Sequence, residues 1–176
     1  ALVCLRFGGT CISDPAIGLA AAIAKHAPTH MSLLPMALHE LLDSLPADFV
    51  RPPRLTVNLE GAPVPGAVRA RALAGFATEL IEGYAMNETG RVCTMDTDGV
   101  GTVWPGVEVE VVDDEDRPMI GAQGRVRIRS GGCVTGYLND PEATARMFRD
   151  GWFYPGDLGV MLGPRVLKLA GRADDM

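Results

Sequence analysis

The chain has 176 residues, of which 47% are apolar, and it carries a net charge of −6 with a pI near 5.0. This length can bury a real core in one domain or two small ones, and the apolar fraction argues against a disordered chain. The acidic balance, without a basic patch, argues against nucleic acid as the main partner and against an anionic membrane surface.

The apolar runs and the cysteines favour a cytoplasmic protein. The longest mostly apolar run, Ile17–Ala24, is far too short to span a bilayer, and the N-terminus lacks the pattern of a signal peptide. Neither CxxC spacing nor the density of a small secreted protein is found for the cysteines, which are Cys4, Cys11, Cys93 and Cys133. We expect reduced, mostly buried thiols.

Strand and helix patterns alternate in the first half of the chain. The predicted strands are Ala1–Leu5, Thr10–Ile12, Thr29–Leu34, Arg54–Leu59 and Thr78–Ile81. The predicted helices run from Ser13 to about Ala27, from Pro35 to about Leu45 and from Pro65 to about Phe76. This alternation predicts an α/β fold, a parallel sheet with helices on its faces, in which ligands bind beyond the carboxyl ends of the strands.

The periodicity changes near Asp96–Thr102, and a small antiparallel unit like a distorted β-barrel is predicted after it. We therefore predict an α/β subdomain, present in part, over residues 1–97 and a β-barrel-like subdomain over residues 98–171. The elements predicted there are half-buried strands at Val107–Val111 and Gly124–Arg129, an acidic turn at Asp113–Asp116, a short helix from Asn139 to about Phe148, and closing strands at Trp152–Tyr154 and Val166–Ala170.

Two predicted loops follow strands of the first half, Glu60–Pro63 and Gly83–Gly90. The small residues of the first loop would let a flat ring lie against its backbone. In the second loop, Tyr84 is suited to stacking on a base and Asn87 to donating a hydrogen bond to a phosphate oxygen, while Glu88 is suited to holding a hard cation such as Mg²⁺.

A third stretch with suitable chemistry lies near the C-terminus. Asp157 follows a Pro155-Gly156 turn and can accept two hydrogen bonds from a diol, and Arg172 can hold a phosphate or a sugar edge. Together with the two loops, these residues predict a nucleotide site spread over two subdomains. The alternative is a set of β-hairpins with exposed turn charges, because each stretch alone is more often only a turn.

Five motifs, in this order along essentially the whole chain, resemble those of the adenylate-forming superfamily. This superfamily comprises acyl-CoA synthetases, luciferases and the adenylation domains of peptide synthetases. The segments concerned are Gly61–Pro65 (similar to its adenine loop), Gly83–Gly90 (its tyrosine–glycine–x–threonine–glutamate motif), Gly101–Ser130 (the segment before the barrel), Gly136–Gly159 (the run ending in threonine–glycine–aspartate) and Gly171–Asp175 (its hinge).

The resemblance implies a role for each matched residue. The residues implied to bind the nucleotide are Glu60, Gly61, Ala62, Tyr84, Asp157 and Arg172. Among them, Tyr84 would stack on the adenine and Asp157 would hold the ribose hydroxyls. Asn87 and Glu88 are the implied catalytic residues, and Glu88 would also hold Mg²⁺. Asp174 would sit in a hinge, residues 172–176, leading to a missing C-terminal domain.

The implied reaction is that of an AMP-forming acid–CoA ligase. A carboxylic or fatty acid attacks the α-phosphate of ATP to give acyl-AMP and pyrophosphate, and coenzyme A then displaces AMP. Two alternatives stay open: an adenylation module that loads a carrier protein, and a catalytically degenerate nucleotide-binding protein. The identity of the acid, the acceptor and the oligomeric state, a homodimer included, also stay open.

Several positions depart from the family pattern. Asn87 stands where the family has threonine, Ala85 and Glu60 each replace a glycine, and Pro155 replaces a threonine. The family's phosphate loop and its C-terminal catalytic lysine do not appear, the first residue is Ala1, and Met176 falls inside a motif. We therefore expect a piece of the large domain of a longer protein, inactive by itself.

Overall fold

The computed structural model describes residues 2–14 and 17–173, and these form two compact units. Unit 1 comprises Ala1–Asn58 and Val64–Leu80, and unit 2 comprises Leu59–Pro63 and Ile81–Met176. The predicted subdomain limits, residues 1–97 and 98–171, are not tested by this division and stay predictions.

Unit 1 is built from helices and strands, which alternate from its second helix onward. Its elements are α1 (Leu2–Arg6), α2 (Leu19–His26), β1 (His30–Leu33), α3 (Pro35–Ser44), the start of β2 (Thr56–Glu60), whose last two residues belong to unit 2, α4 (Gly66–Gly75) and the start of β3 (Glu79–Met86). Leu38, Leu41 and Leu42 recur at helical spacing on α3, and all three are buried. They belong to a core that also contains Leu55, Val57, Val68, Ala72 and Phe76.

The first residues of the chain differ from the prediction. Leu2–Arg6 is a helix rather than a strand, and Thr10–Ile12 forms neither. A short apolar run does not distinguish helix from strand by its periodicity, and leucine and arginine favour the helix. Both strand predictions were wrong, the first of them for this reason.

Helix α2 begins later than predicted, at Leu19 rather than after Ser13. Asp14, which falls inside the predicted helix, lies before α2, and its Oδ2 accepts hydrogen bonds from Lys25 Nζ at 2.9 Å and from His26 Nε2 at 3.0 Å, near the C-terminus of α2. The carboxylate thus pairs with the Lys25 ammonium at the end of the helix where the dipole favours positive charge. Pro15, within the predicted helix, lies outside the described residues.

Strand β3 is longer than predicted, and this changes the interpretation of the segment Gly83–Gly90. The strand continues through Gly83 and Tyr84 to Met86, and only residues 87–89 form a turn before β4 (Gly90–Met95). β3 and β4 pair antiparallel, with Tyr84 opposite Cys93. The expectation of a loop at the end of a parallel strand was wrong here, because a three-residue hairpin returns the chain at once.

Unit 2 is an antiparallel β structure. Its further elements are β5 (Val100–Val103), β6 (Val107–Val112), β7 (Pro118–Met119), β8 (Gln123–Ser130), α5 (Pro141–Met147), β9 (Phe148–Arg149), β10 (Trp152–Phe153), β11 (Asp157–Gly163) and β12 (Val166–Arg172). The strand order is β3-β4-β5-β12-β11-β8-β10-β9, and β6 pairs with β7 and β8. Helix α5 begins as predicted, since Asp140 Oδ1 accepts from the backbone N–H of Ala143 at 2.8 Å.

Six strands of unit 2 enclose one core. Its buried members come from β4, β5, β6, β8, β11 and β12, and they are Val92, Cys93, Val103, Val111, Val126, Ile128, Met161 and Leu167. A core surrounded by strands in this way is the arrangement of a small barrel. The predicted fold class, an α/β part followed by an antiparallel barrel-like part, is confirmed.

Candidate functional site

Asp157 lies between Tyr84 and Arg172 in unit 2. The Tyr84 hydroxyl donates a hydrogen bond to Asp157 Oδ2, and Arg172 Nη1 donates to Asp157 Oδ1 at 3.3 Å. The side chain of Asp157 is only 13% exposed, whereas that of Arg172 is 51% exposed. The structure therefore brings together three residues that the sequence analysis assigns to one nucleotide site.

Strand register and a tight turn place these groups. Asp157 is the first residue of β11 and lies directly opposite Arg172, the last residue of β12. Gly156 before it has φ of 81°, and its carbonyl accepts from the backbone N–H of Ala173 at 2.9 Å. A Cβ on Gly156 would lie 3.3 Å from Arg172 Nη2, so glycine permits both the turn and the approach of the guanidinium.

The electrostatics of this cluster keep Tyr84 neutral. Burial raises the pKa of the Tyr84 phenol well above its usual value, and the charge and hydrogen bond of Asp157 raise that pKa further. The phenol is therefore a permanent donor toward the carboxylate. Each carboxylate oxygen has two acceptor positions, so one position on each oxygen is left for the two hydroxyls of a diol.

Glu60, at the end of β2, is paired with Arg91 of β4. Arg91 Nε donates to Glu60 Oε1 at 2.9 Å, Arg91 Nη2 contacts the same oxygen, and the guanidinium lies 5.5 Å from the Trp104 ring centroid. Gly83 lies directly beneath, since a Cβ there would be 3.1 Å from Arg91 Nε. The predicted site residue Glu60 thus enters the structure as half of an ion pair.

Gly61 and Ala62 follow β2 as exposed residues outside any strand. Gly61 has φ of 98°, a conformation that favours glycine over every other residue. The backbone of this bend is open to a ligand, which is the property that the sequence analysis assigns to it.

Asn87 and Glu88 occupy the turn between β3 and β4. Asn87 is exposed, while Glu88 Oε1 accepts a hydrogen bond from Tyr137 Oη at 2.8 Å and its carbonyl accepts from Val134 N at 2.9 Å. Glu88 Oε2 accepts no hydrogen bond within residues 2–14 and 17–173. Thr89 completes the turn and is buried.

The donor set at Glu88 fits a magnesium ion that arrives with phosphates. No group of three or more histidine, cysteine or acidic residues among the described positions is arranged to hold a metal. Magnesium, however, is usually bound through one or two carboxylates together with water and substrate phosphates, so one carboxylate with an unoccupied oxygen suits it.

Two residues of this region, Arg91 and Tyr137, were missed by the sequence analysis. Tyr137 lies within the motif Gly136–Gly159, but nothing in its local pattern assigns it to Glu88, from which it is 49 positions distant. Arg91 carries no local signal for Glu60 either. Of the predicted residues, Asp174 lies outside the described part of the chain.

A surface groove of about 340 Å³ in unit 2 contains none of the predicted site residues. It is lined by Thr94, Thr102, Val103, Trp104, Pro105 and Arg165. Within the described residues, no helix combines the length and apolar character needed to cross a bilayer.

Known proteins resemble this chain along nearly all of its length. The 2-methylpropanoate–CoA ligase CCL4 of Humulus lupulus is 34% identical over 99% of this chain and 34% of its own length. The solved amide bond synthetase McbA of Marinactinospora thermotolerans is 29% identical with a TM-score of 0.71, over 88% of this chain and 34% of that one. The anthranilate CoA ligase AuaEII, solved with anthranoyl-AMP, has a TM-score of 0.79 at 23% identity, over 96% of this chain and 35% of that one, a likeness of fold.

The chain spans about a third of the length of the relatives it matches. A family model described as AMP-binding enzyme matches residues 1–138, well over half of the chain. This chain therefore belongs to the AMP-binding enzyme family.

Proposed function

We propose that the protein containing this sequence is an ATP-dependent acid–CoA ligase that activates a carboxylic acid as acyl-AMP and transfers it to coenzyme A. Membership of the AMP-binding enzyme family supports the nucleotide. The observation that carries the proposal is the cluster at Asp157, where a shielded carboxylate keeps one acceptor position on each oxygen for a ribose diol.

Each side chain has a role in holding the nucleotide. Asp157 accepts the ribose hydroxyls, Tyr84 packs its ring on the adenine and fixes Asp157 through its hydroxyl, and Arg172 adds positive charge at the exposed side. The bend at Gly61 and Ala62 lines the base, with Glu60 at its edge. These residues bind and orient; they exchange no proton with the substrate.

Asn87 and Glu88 act at the phosphates. The amide of Asn87 donates to a phosphate oxygen, and Glu88 holds Mg²⁺, which when bound offsets the charge that develops on the phosphates. The carboxylate oxygen of the acid then forms a bond to the α-phosphorus as the bond to pyrophosphate breaks. In the second step the sulfur of coenzyme A forms the thioester and AMP leaves.

The remaining assignments are proposals of the same kind. Asp174 would lie in a hinge to a further domain. Residues 1–97 and 98–171 would form two subdomains, and the protein would act in the cytoplasm. The acid belongs to the small carboxylic or fatty acids; CCL4 is named for 2-methylpropanoate. The isolated 176 residues would complete neither half-reaction.

Carboxylate-dependent exchange between ATP and pyrophosphate tests the function. The gene product that contains this sequence should exchange with one class among short, medium, long and aromatic acids, and the 176-residue chain should not. A gene product silent with every acid, but still binding AMP, would contradict the ligase and favour a nucleotide-binding protein without catalysis.

The diol assignment has its own test. Calorimetric titration of the 176-residue chain should show that AMP binds about 10-fold more tightly than 2′,3′-dideoxy-AMP, a difference of about 1.4 kcal/mol. Asp157→Asn should weaken AMP binding and abolish the preference between the two ligands. If Asp157→Asn preferred AMP over 2′,3′-dideoxy-AMP as strongly as the wild type does, Asp157 would not be the residue that binds the ribose hydroxyls.

A further inference from the structure

The turn that carries Glu88 is clamped by a distant segment of unit 2. Val134 N donates to the Glu88 carbonyl at 2.9 Å, and Tyr137 Oη donates to Glu88 Oε1 at 2.8 Å. One contact fixes the backbone of the turn and the other fixes the orientation of the carboxylate. The two contacts come from residues three positions apart, so a single segment sets the position of Glu88.

Tyr137 is itself held firmly from the other side. Its backbone N–H donates to Thr144 Oγ1 at 2.8 Å, and the Thr144 hydroxyl donates to the Asp140 carbonyl at 2.7 Å within the first turns of α5. Gly136 lies so close to this helix that a Cβ would be 2.6 Å from Thr144 Cγ2. Helix α5 therefore anchors the backbone that presents the phenol.

Aromatic packing fixes the ring. Tyr137 meets Phe148 edge-on, with ring centroids 5.5 Å apart and an interplanar angle of 71°, and Phe148 packs on Phe153 at 4.9 Å. Phe153 is buried. The ring that carries the phenol hydroxyl is thus held by its contact with Phe148 and, through Phe148, by the buried Phe153.

We propose that Tyr137 is a positioning residue that orients the Glu88 carboxylate for a divalent cation, an inference that rests on the proposed function of Glu88. With Oε1 held by the phenol, Oε2 and the second acceptor position of Oε1 are directed to the cation. A carboxylate that is hydrogen-bonded on one side binds a metal with less loss of rotamer freedom, and such partners are worth about 10- to 100-fold in metal affinity.

The test measures ATP binding to the gene product that contains this sequence as a function of Mg²⁺ concentration. For the wild type, Mg²⁺ should tighten ATP binding, and for Tyr137→Phe the half-saturating Mg²⁺ concentration should rise about 10-fold or more. AMP affinity in EDTA should be the same in both, because Tyr137 contacts neither Asp157 nor Tyr84. A loss that was merely structural would lower AMP affinity as well.

Tyr154→Phe is the matched control. The Tyr154 hydroxyl lies 3.2 Å from Arg127 Nη1 and 3.2 Å from Asp116 Oδ1, so this change also removes phenol hydrogen bonds from unit 2. Its Mg²⁺ requirement should equal that of the wild type. If Tyr137→Phe does not fold, Thr144→Val takes its place, because it removes the hydrogen bond that anchors the Tyr137 backbone. The half-saturating Mg²⁺ concentration should rise in this variant too.

Glu88→Gln separates failure of this inference from failure of the proposed function. Two results would rule out Glu88 as the cation ligand: wild-type ATP binding that does not depend on Mg²⁺, or a Mg²⁺ dependence that is retained in Glu88→Gln. Either result would also rule out the positioning role of Tyr137. A Mg²⁺ dependence of ATP binding that is lost in Glu88→Gln and unchanged in Tyr137→Phe would instead overturn the role of Tyr137 alone. The same holds for Thr144→Val if that variant is used in place of Tyr137→Phe.

Discussion

The hydroxyl of Tyr84 donates to Oδ2 of Asp157 across 73 positions of sequence, and it joins β3 to β11 at the predicted nucleotide site. Tyr84 thereby has two kinds of contact: its side chain packs against the barrel core, and its hydroxyl holds the Asp157 carboxylate. The same contact gives the protein a pH dependence that can be measured without any ligand.

Stability should fall at high pH because of Tyr84. Its pKa is raised in the folded state, whereas a tyrosine in the unfolded chain titrates near its ordinary value of about 10. Above that pH the unfolded state has lost a proton that the folded state keeps, so the free energy of unfolding decreases by up to about 1.4 kcal/mol per pH unit for each such tyrosine.

Urea unfolding between pH 8 and pH 11 (values chosen to bracket the unfolded pKa of about 10) measures this decline. Tyr84→Phe should show a shallower decline than the wild type, and Tyr137, whose pKa is raised to about 12, should account for part of the remainder. Parallel curves for the wild type and Tyr84→Phe would contradict the shielded position of the Tyr84 phenol.

Gly156→Ala should destabilise the fold and weaken AMP binding together. The residue has φ of 81°, which costs an alanine about 1–2 kcal/mol, and the new Cβ would press on Arg172 Nη2. Gly131→Ala is the control, since a Cβ there meets nothing within 4 Å and its φ is not in the left-handed region. The midpoint of urea unfolding should fall for Gly156→Ala and stay unchanged for Gly131→Ala. Equal shifts in the two variants would contradict a special backbone requirement at Gly156.

The pair Glu60–Arg91 should contribute a measurable but small coupling. The two side chains are 39% and 20% exposed, so solvent screens their attraction, and a coupling of about 0.5–1 kcal/mol is expected. A double-mutant cycle with Glu60→Gln and Arg91→Gln isolates this coupling from the contact of Arg91 with Trp104. The coupling should shrink in 1 M salt, whose screening length is about 3 Å, and a salt-independent value would contradict an ion pair.

Leu167→Ala should be the costliest of these changes. Leu167 is fully buried in the barrel core, so its truncation should lower the free energy of unfolding by about 2–5 kcal/mol. Leu162 on the neighbouring β11 is 51% exposed, and Leu162→Ala should change that free energy by less than about 1 kcal/mol. Comparable losses in the two variants would mean that the barrel core does not enclose Leu167.

Prediction from sequence worked where the pattern is local. The leucines of α3 recur at helical spacing, Asp140 caps the helix that follows it, and β6 alternates, so each element follows from residues within a few positions of one another. The motifs that carry the family resemblance are local in the same sense. The failures near Leu2–Arg6 and at Asp14 arose where a short run has no clear period or a side chain pairs with a distant partner.

The sequence by itself determined the fold class, the order of the motifs and which residue types stand at the predicted nucleotide site. Tertiary structure alone decided that Tyr84 meets Asp157, that Arg91 meets Glu60 and that Tyr137 meets Glu88. These contacts join residues between 31 and 73 positions apart. Their geometry depends on strand register and on the burial of one shared core, and neither is encoded in any single stretch of chain.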